Sequence, residues 1–237
     1  MRRNAFLIAT GAAVMIAGPA MAATMDMTNV VKDESYKVSG PSDKDYYLNI
    51  QAEGGAHDSW AAAEWDLDFG ADSGKAIVVD SFNFRLNVAG LTGDYSAPWQ
   101  KSGDVEVYLV SDEFDLTAHN TNFDWETLEA KETSVKLGQF AFVAPELRED
   151  MVFNVEMNAD EAAQFAASAA DGKLKLAFHG IADPLNGVGV AIAGSGATSK
   201  YYDAPAIGFD YDLAAVPEPA SIALLGLGGL AMLRRRK

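Results

Sequence analysis

The sequence predicts an all-β protein, an antiparallel β-sandwich of jelly-roll type with one short helix. Three observations lead there. Apolar and polar residues alternate with a period of two in several stretches between residues 36 and 213, the spacing of strands with one buried and one wetted face. Gly- and Asp-rich turns over 89–94, 111–115 and 183–189 separate such stretches. A single segment has both helical spacing and helical end signals.

The elements follow in chain order. Tyr46–Ile50 reads as a strand. Trp65, Leu67 and Phe69 then alternate with Glu64, Asp66 and Asp68. Phe82, Phe84, Leu86 and Val88 alternate with Asn83, Arg85 and Asn87, and Val105, Val107 and Leu109 with Asp104, Glu106 and Tyr108. Gln139–Val143 is a further strand. Phe153, Val155 and Met157 alternate with Asn154 and Glu156. The helix comes next. Asn158 caps it, Glu161 three residues on completes a capping box, Asp160–Ala170 forms the body, and Gly172 ends it. Ala162, Phe165, Ala166 and Ala169 share its apolar face. Leu174, Leu176 and Phe178 alternate with Lys173, Lys175 and His179, and Ile207, Phe209, Tyr211 and Leu213 with Gly208, Asp210 and Asp212. No repeat or internal linker divides these elements. They form one domain over residues 35–214, preceded by a flexible lead-in over 23–34.

Charge excludes whole classes of function. The chain has 237 residues, a net charge of −16 and no cysteine. Residues 23–215 hold 12 Lys and Arg against 33 Asp and Glu, a net −21. Such a surface repels phosphate backbones, so nucleic acid is excluded as a partner. The absence of cysteine excludes disulfides, thiol nucleophiles, iron–sulfur clusters and Cys-ligated zinc.

The basic residues gather at the ends, and each end reads as an address. Arg2 and Arg3 precede an apolar stretch of 14 residues, Ala5 to Gly18, and Ala20-Met21-Ala22 supplies a small–x–small cleavage pattern. This is a secretory signal peptide cut after Ala22. As a helix it would rise about 21 Å, short of a hydrocarbon core of about 30 Å, which argues against a permanent anchor. The Arg pair stands one residue too far from Phe6-Leu7 for twin-arginine export, so the secretory translocon and signal peptidase are the expected partners.

At the other end Val216-Pro217-Glu218-Pro219 is held extended, because each proline fixes its own φ and keeps the residue before it out of the helical region. An extended strand lacking two backbone donors suits a processing enzyme's cleft. Ala220–Leu233 is a glycine-rich apolar helix of 14 residues, and Arg234, Arg235, Arg236 and Lys237 form a basic stop that stays cytoplasmic. Pro-Glu-Pro, apolar helix and arginine cluster in that order resemble the PEP-CTERM sorting signal of Gram-negative bacteria. The resemblance implies recognition by a membrane-embedded exosortase at the inner membrane, with cleavage at or near Pro217-Glu218-Pro219. Release or attachment at the cell surface would follow. It also implies a producer that makes exopolysaccharide and biofilm. A second resemblance lies in the middle of the chain. Trp65-Asp66-Leu67-Asp68-Phe69, the strand Asp104–Val110, the Trp-bearing loop Asn122–Thr127 and the Ala204-Pro205-Ala206 turn are similar in order to secreted DNRLRE or CBM96-like sandwich modules. That likeness implies a polysaccharide-binding or surface-scaffold role.

Catalytic motifs are missing. His57, His119 and His179 stand in no metal-ligand motif, and no nucleophile elbow, Walker loop or dinucleotide fingerprint occurs. Gly194-Ser195-Gly196 lacks the strand-before and helix-after context of an elbow and reads as a flexible loop. The many carboxylates read as a solvated face rather than a glycosidase pair. The sequence requires no cofactor. The one metal it suggests is a structural calcium, with Asp112 and Asp115 as ligands in a loop shared with Glu113 and Asn120. Trp60, Trp99 and Trp125 lie near turns or strand ends, where sugar-stacking platforms occur. Tyr201 and Tyr202 are further candidates, and Trp65 belongs to the core. The expectation is a non-enzymatic, exported, exosortase-sorted protein that binds or organises exopolysaccharide. The alternatives are a secreted polysaccharide-acting enzyme and a self-associating structural surface or adhesion protein.

Overall fold

Side chains that alternate along a strand separate into two layers, and Phe82, Phe84, Leu86 and Val88 all become buried while Ser81, Asn83 and Arg85 stay half-exposed. The computed structural model describes residues 22–37, 47–54, 57–116, 125, 133–182, 187–196 and 203–214. The strands there are β1 (Ala22–Asn29), β2 (Lys32–Lys37), β3 (Tyr47–Gln51), β4 (Ser59–Asp66), β5 (Ile77–Val78) and β6 (Ser81–Val88). They continue as β7 (Gly103–Val110), β8 (Ser134–Phe142), β9 (Glu149–Glu156), β10 (Lys173–Gly180), β11 (Gly189–Ala193) and β12 (Ala206–Leu213). The helix α1 spans Ala159–Ala170 between β9 and β10.

The strands join in one hydrogen-bonded path, β1-β12-β6-β11-β3-β4-β10-β7-β8, with β2 beside β4, β5 beside β12 and β9 beside β6. The named strand pairs are antiparallel, and the sheet curls into a sandwich-like all-β fold. Curling brings distant strands face to face. Phe84 of β6 lies 5.4 Å from Phe178 of β10 and 4.9 Å from Phe140 of β8, and Phe140 lies 4.3 Å from Phe153 of β9, ring centre to ring centre. This aromatic stack is the middle of the main core.

Helix α1 forms where its end signals predict. The Asn158 Oδ1 accepts from the backbone N–H of Asp160 (3.0 Å) and Glu161 (3.1 Å), and the Glu161 carboxylate accepts from the Asn158 N–H at 2.7 Å. Gly172 ends the helix at φ +81°, with its N–H donated to the Ala169 carbonyl. Phe165 stacks on Phe82 at 4.8 Å and ties the helix to the core. Asn158→Ala should therefore lower stability by about 1 kcal/mol, measured as a shift of the urea midpoint.

Several strands depart from the sequence reading. Residues 23–34, expected as a flexible lead-in, run as β1 and the start of β2. Met25 turns into the core while Thr24 and Asp26 stay wet, and β1 pairs with the final strand β12. The strand expected over Trp65–Phe69 is instead the end of β4, which begins at Ser59 and stops at Asp66, although Leu67 and Phe69 remain buried. β4 lies inside the sheet with Ala61 and Ala63 in the main core and Trp60 and Ala62 in a second cluster on the other face. β11 has all five residues buried. A strand covered on both faces shows no polar alternation to read.

Glu64 of β4 and Lys175 of β10 face each other in register and are both buried. The Lys175 Nζ donates to the carbonyls of Asp112 and Phe114, each at 2.8 Å, and stands 3.7 Å from a Glu64 oxygen. Asp112 and Asp115, the calcium candidates, are exposed. Asn120 lies outside the described residues. Among those described, no group of three or more His, Cys, Asp or Glu could hold a metal, and no helix is long and apolar enough to cross a membrane.

Candidate functional site

The sheet face turned away from the main core carries two patches of opposite character. On β2 and β4 the outward face carries the large rings Tyr36 and Trp60, with Ala62 and Ala177 beneath the cover. Tyr36 stacks on Trp60 at 4.0 Å, Trp60 meets Trp125 edge-on at 4.9 Å, and Trp125 stacks on His179 at 4.8 Å. The Tyr36 hydroxyl donates to the Leu116 carbonyl at 3.0 Å. These rings fill the patch. Trp60 is 1% and Trp125 4% exposed, so neither offers a face to a ligand. Trp65 is in the main core. Tyr201 and Tyr202 lie outside the described residues.

On β6, β11 and β3 the outward residues are small, and the patch is hollow. Leu48 and Ile50 of β3 and Val190 and Ile192 of β11 point into the core. Alternation therefore sends Asn49 and Ala191, which pair across the two strands, to the other face. Ala89, Ala97 and Ala191 form the floor of a cavity of about 290 Å³. Tyr95 and Trp99, both half-buried, wall it, and Asn49, Asp94 and Ser96 complete the lining.

The wall is built, not draped. Within the 89–101 loop, Gly90 N–H donates to the Tyr95 carbonyl, Ala97 N–H to Gly90, and Gln100 N–H to Ala97. Leu91 and Thr92 donate to the carbonyls of Pro145 and Glu146. Gln100, 5% exposed, fastens the loop to the floor: its Nε2 donates to the Ala89 carbonyl at 2.6 Å and its Oε1 accepts the Ala191 N–H at 3.0 Å. Gly189 lies under the indole of Trp99. A Cβ there would stand 3.3 Å from two of its ring carbons and 3.2 Å from its carbonyl oxygen. Asn49 is 8% exposed, its N–H donates to the Ser35 hydroxyl at 2.8 Å, and its Oδ1 has no hydrogen-bond partner.

The far end of β11 is also tied down. Asp33 accepts from the Ser195 N–H at 2.5 Å and from its hydroxyl at 2.9 Å. The predicted flexible loop Gly194-Ser195-Gly196 is thus a turn held to β2 at its central residue. Burial raises the Asp33 titration, and the two Ser195 hydrogen bonds offset only part of that. A carboxyl raised in the fold favours the protonated folded state. Its contribution should fall as pH rises from the ordinary aspartate value through the raised one. Subtracting the Asp33→Asn stability profile from the wild type, by urea denaturation at stepped pH, should show that decline.

A second cavity of about 230 Å³ is lined by Val78, Asp80, Ser81, Asn83, Asp210, Tyr211 and Asp212. Asp210 accepts a hydrogen bond from the Thr24 hydroxyl at 2.7 Å.

Among the described candidate ligand residues, Trp99 lines the cavity while Trp60 and Trp125 are buried. Asn49, Asp94, Tyr95 and Gln100 were not singled out from sequence. Asn49 gave no signal because β11, its partner strand, is not recognisable by alternation. Of the cleavage pair, Ala20 lies outside the described residues and Ala22 is the first residue of β1. Val216, Pro217, Glu218 and Pro219 and the basic stop, Arg234 to Lys237, also lie outside them, as do both expected terminal helices.

Comparison with known families settles the tail. Residues 215–237 match the PEP-CTERM protein-sorting motif. The chain carries a PEP-CTERM sorting signal. Such a signal marks a secreted protein processed at the cell envelope, with an exosortase as the processing partner. No curated protein matches this PEP-CTERM chain. Among solved structures it is similar to a chain from the single-particle structure of Maize Chlorotic Mottle Virus, at 16% identity over 84% of this chain and 97% of that one, with a TM-score of 0.22. An overlay that loose says nothing of the PEP-CTERM protein's fold.

Proposed function

We propose that this PEP-CTERM protein is exported across the inner membrane of a Gram-negative bacterium and cleaved by exosortase. It then binds or organises exopolysaccharide at the cell surface or in the biofilm matrix, without catalysis. The Trp99 cavity carries this reading: a hydrogen-bonded loop presents an aromatic wall and amide and carboxylate groups beside an alanine floor. Pull-down with the producer's own polysaccharide, with and without calcium, should retain the protein. Failure to retain it in both conditions overturns the reading. An acidic polysaccharide would need calcium to bridge it to a −21 domain, so calcium-dependent retention would identify an anionic partner.

The sorting step has its own test. Replacing Pro217, Glu218 and Pro219 together with alanine should leave the tail attached in a host with an active exosortase. Intact-mass analysis should show Arg234–Lys237 retained in the variant and lost from the wild type. A wild type that keeps them refutes processing.

The three carboxylates around the second cavity favour a rival, a polysaccharide-acting enzyme. Release of reducing ends or unsaturated sugars from the polysaccharide, abolished by Asp210→Asn with Asp212→Asn, would establish it.

A further inference from the structure

We propose that the Trp99 cavity is a binding site for a single uncharged sugar ring of a neutral glycan. The site rests on the polysaccharide reading and narrows it to one place and one ligand chemistry.

The argument starts from the contrast between the two outer patches. Both are sheet faces covered by a loop. Beside β2, β4 and β10 the patch is filled by the buried rings Tyr36, Trp60, Phe114 and Trp125. Beside β11 the floor is Ala191 with Ala89 and Ala97 of the 89–101 segment, and a cavity remains against Tyr95 and Trp99. The hollow opens to solvent, and its wall is fastened beside it rather than collapsed into it. Gln100 spends both ends of a buried amide on holding that wall to the floor, and Gly189 leaves room for the indole.

The lining then selects the ligand. A sugar ring has an apolar face of axial C–H groups and an equatorial belt of hydroxyls. Trp99 and Tyr95 supply flat apolar surface for the face. Asn49 and Asp94 at the lining supply polar groups for the hydroxyls. The volume of about 290 Å³ sits at the small end of ligand pockets, room for one ring rather than a chain. Charge decides the remaining choice. Asp94 at the rim and a net −21 over residues 23–215 oppose a uronic acid or a sulfated sugar.

The experiment uses the full secreted protein in affinity electrophoresis through gels containing a neutral β-glucan, a neutral α-glucan or alginate, with the producer's polysaccharide run in parallel. The wild type should be retarded by at least one neutral glycan and not by alginate. Trp99→Ala and Asn49→Ala should each weaken retardation at least tenfold while the thermal midpoint stays within a few degrees of the wild type. Trp99→Phe, which keeps a stacking face, should recover part of it. Retardation by the producer's polysaccharide that is unchanged in Trp99→Ala overturns the site and leaves the polysaccharide reading standing. A wild type retarded by no glycan overturns both. Competition by choline but not by neutral monosaccharides overturns the sugar assignment, because an aromatic wall beside a carboxylate also suits a quaternary ammonium.

Discussion

Phe84→Ala should lower the unfolding free energy by about 3–5 kcal/mol, the cost of deleting a ring from a packed core and leaving a cavity. The ring is 0% exposed and touches rings from four other strand positions: Phe82 on its own strand, Phe153 beside it, and Phe140 and Phe178 across the core. The layers of the sandwich meet there, so the void cannot collapse by moving one strand. Against a total stability of about 5–15 kcal/mol the loss would leave the protein partly unfolded at moderate temperature. Val152→Ala is the control. Val152 is 60% exposed on the neighbouring strand, and its loss should change the urea midpoint little. A Phe84→Ala midpoint as small in shift as that of Val152→Ala would contradict the cross-core packing described above.

Lys175→Met should be comparably severe, for a different reason. The substitution keeps most of the side-chain volume but removes the ammonium. Glu64 is 6% exposed and would remain buried beside the largely exposed Lys173, 3.7 Å away. The carbonyls of Asp112 and Phe114 would lose their donor. Breaking a buried ion pair by removing one member costs about 3–5 kcal/mol, because the other charge is stranded. Lys175→Met combined with Glu64→Gln should recover a measurable part of that loss. Equal destabilisation by the single and double variants would show that the carbonyls, not the carboxylate, are the important partners of the ammonium.

How much of this was legible beforehand depends on where each strand lies. β6, β7, β9, β10 and β12 announce themselves through alternation, and α1 through Asn158, Glu161 and Gly172. β4 and β11 are hidden, since burial on both faces leaves runs such as Ala61-Ala62-Ala63 and Val190-Ala191-Ile192 without a polar register. β1 is hidden differently. Its pairing with β12 is a contact across almost the whole domain, which no local pattern encodes. The candidate site inherits both difficulties. Trp99 stands out as a residue type near a turn. Asn49 becomes significant only when β3 is set beside β11, and Gln100 only when its two backbone partners, Ala89 and Ala191, come together. The tail needed no fold to be read, because its signal is linear: two prolines around a glutamate, an apolar run and a basic stop in fixed order.

The pairing of β1 with β12 has a consequence in time. Ala22 lies opposite Asp212, so the first strand waits for the last before this edge is bonded. β6, about a third of the way along the sequence, likewise needs β12 on one side. A topology dominated by such distant partners has high contact order and folds slowly, on the millisecond-to-second scale. The sheet therefore stays incomplete until the last strand of the domain is available to pair. Moving the end of the chain by circular permutation, so that β12 precedes β1 through a short loop, should speed refolding while leaving the final core unchanged.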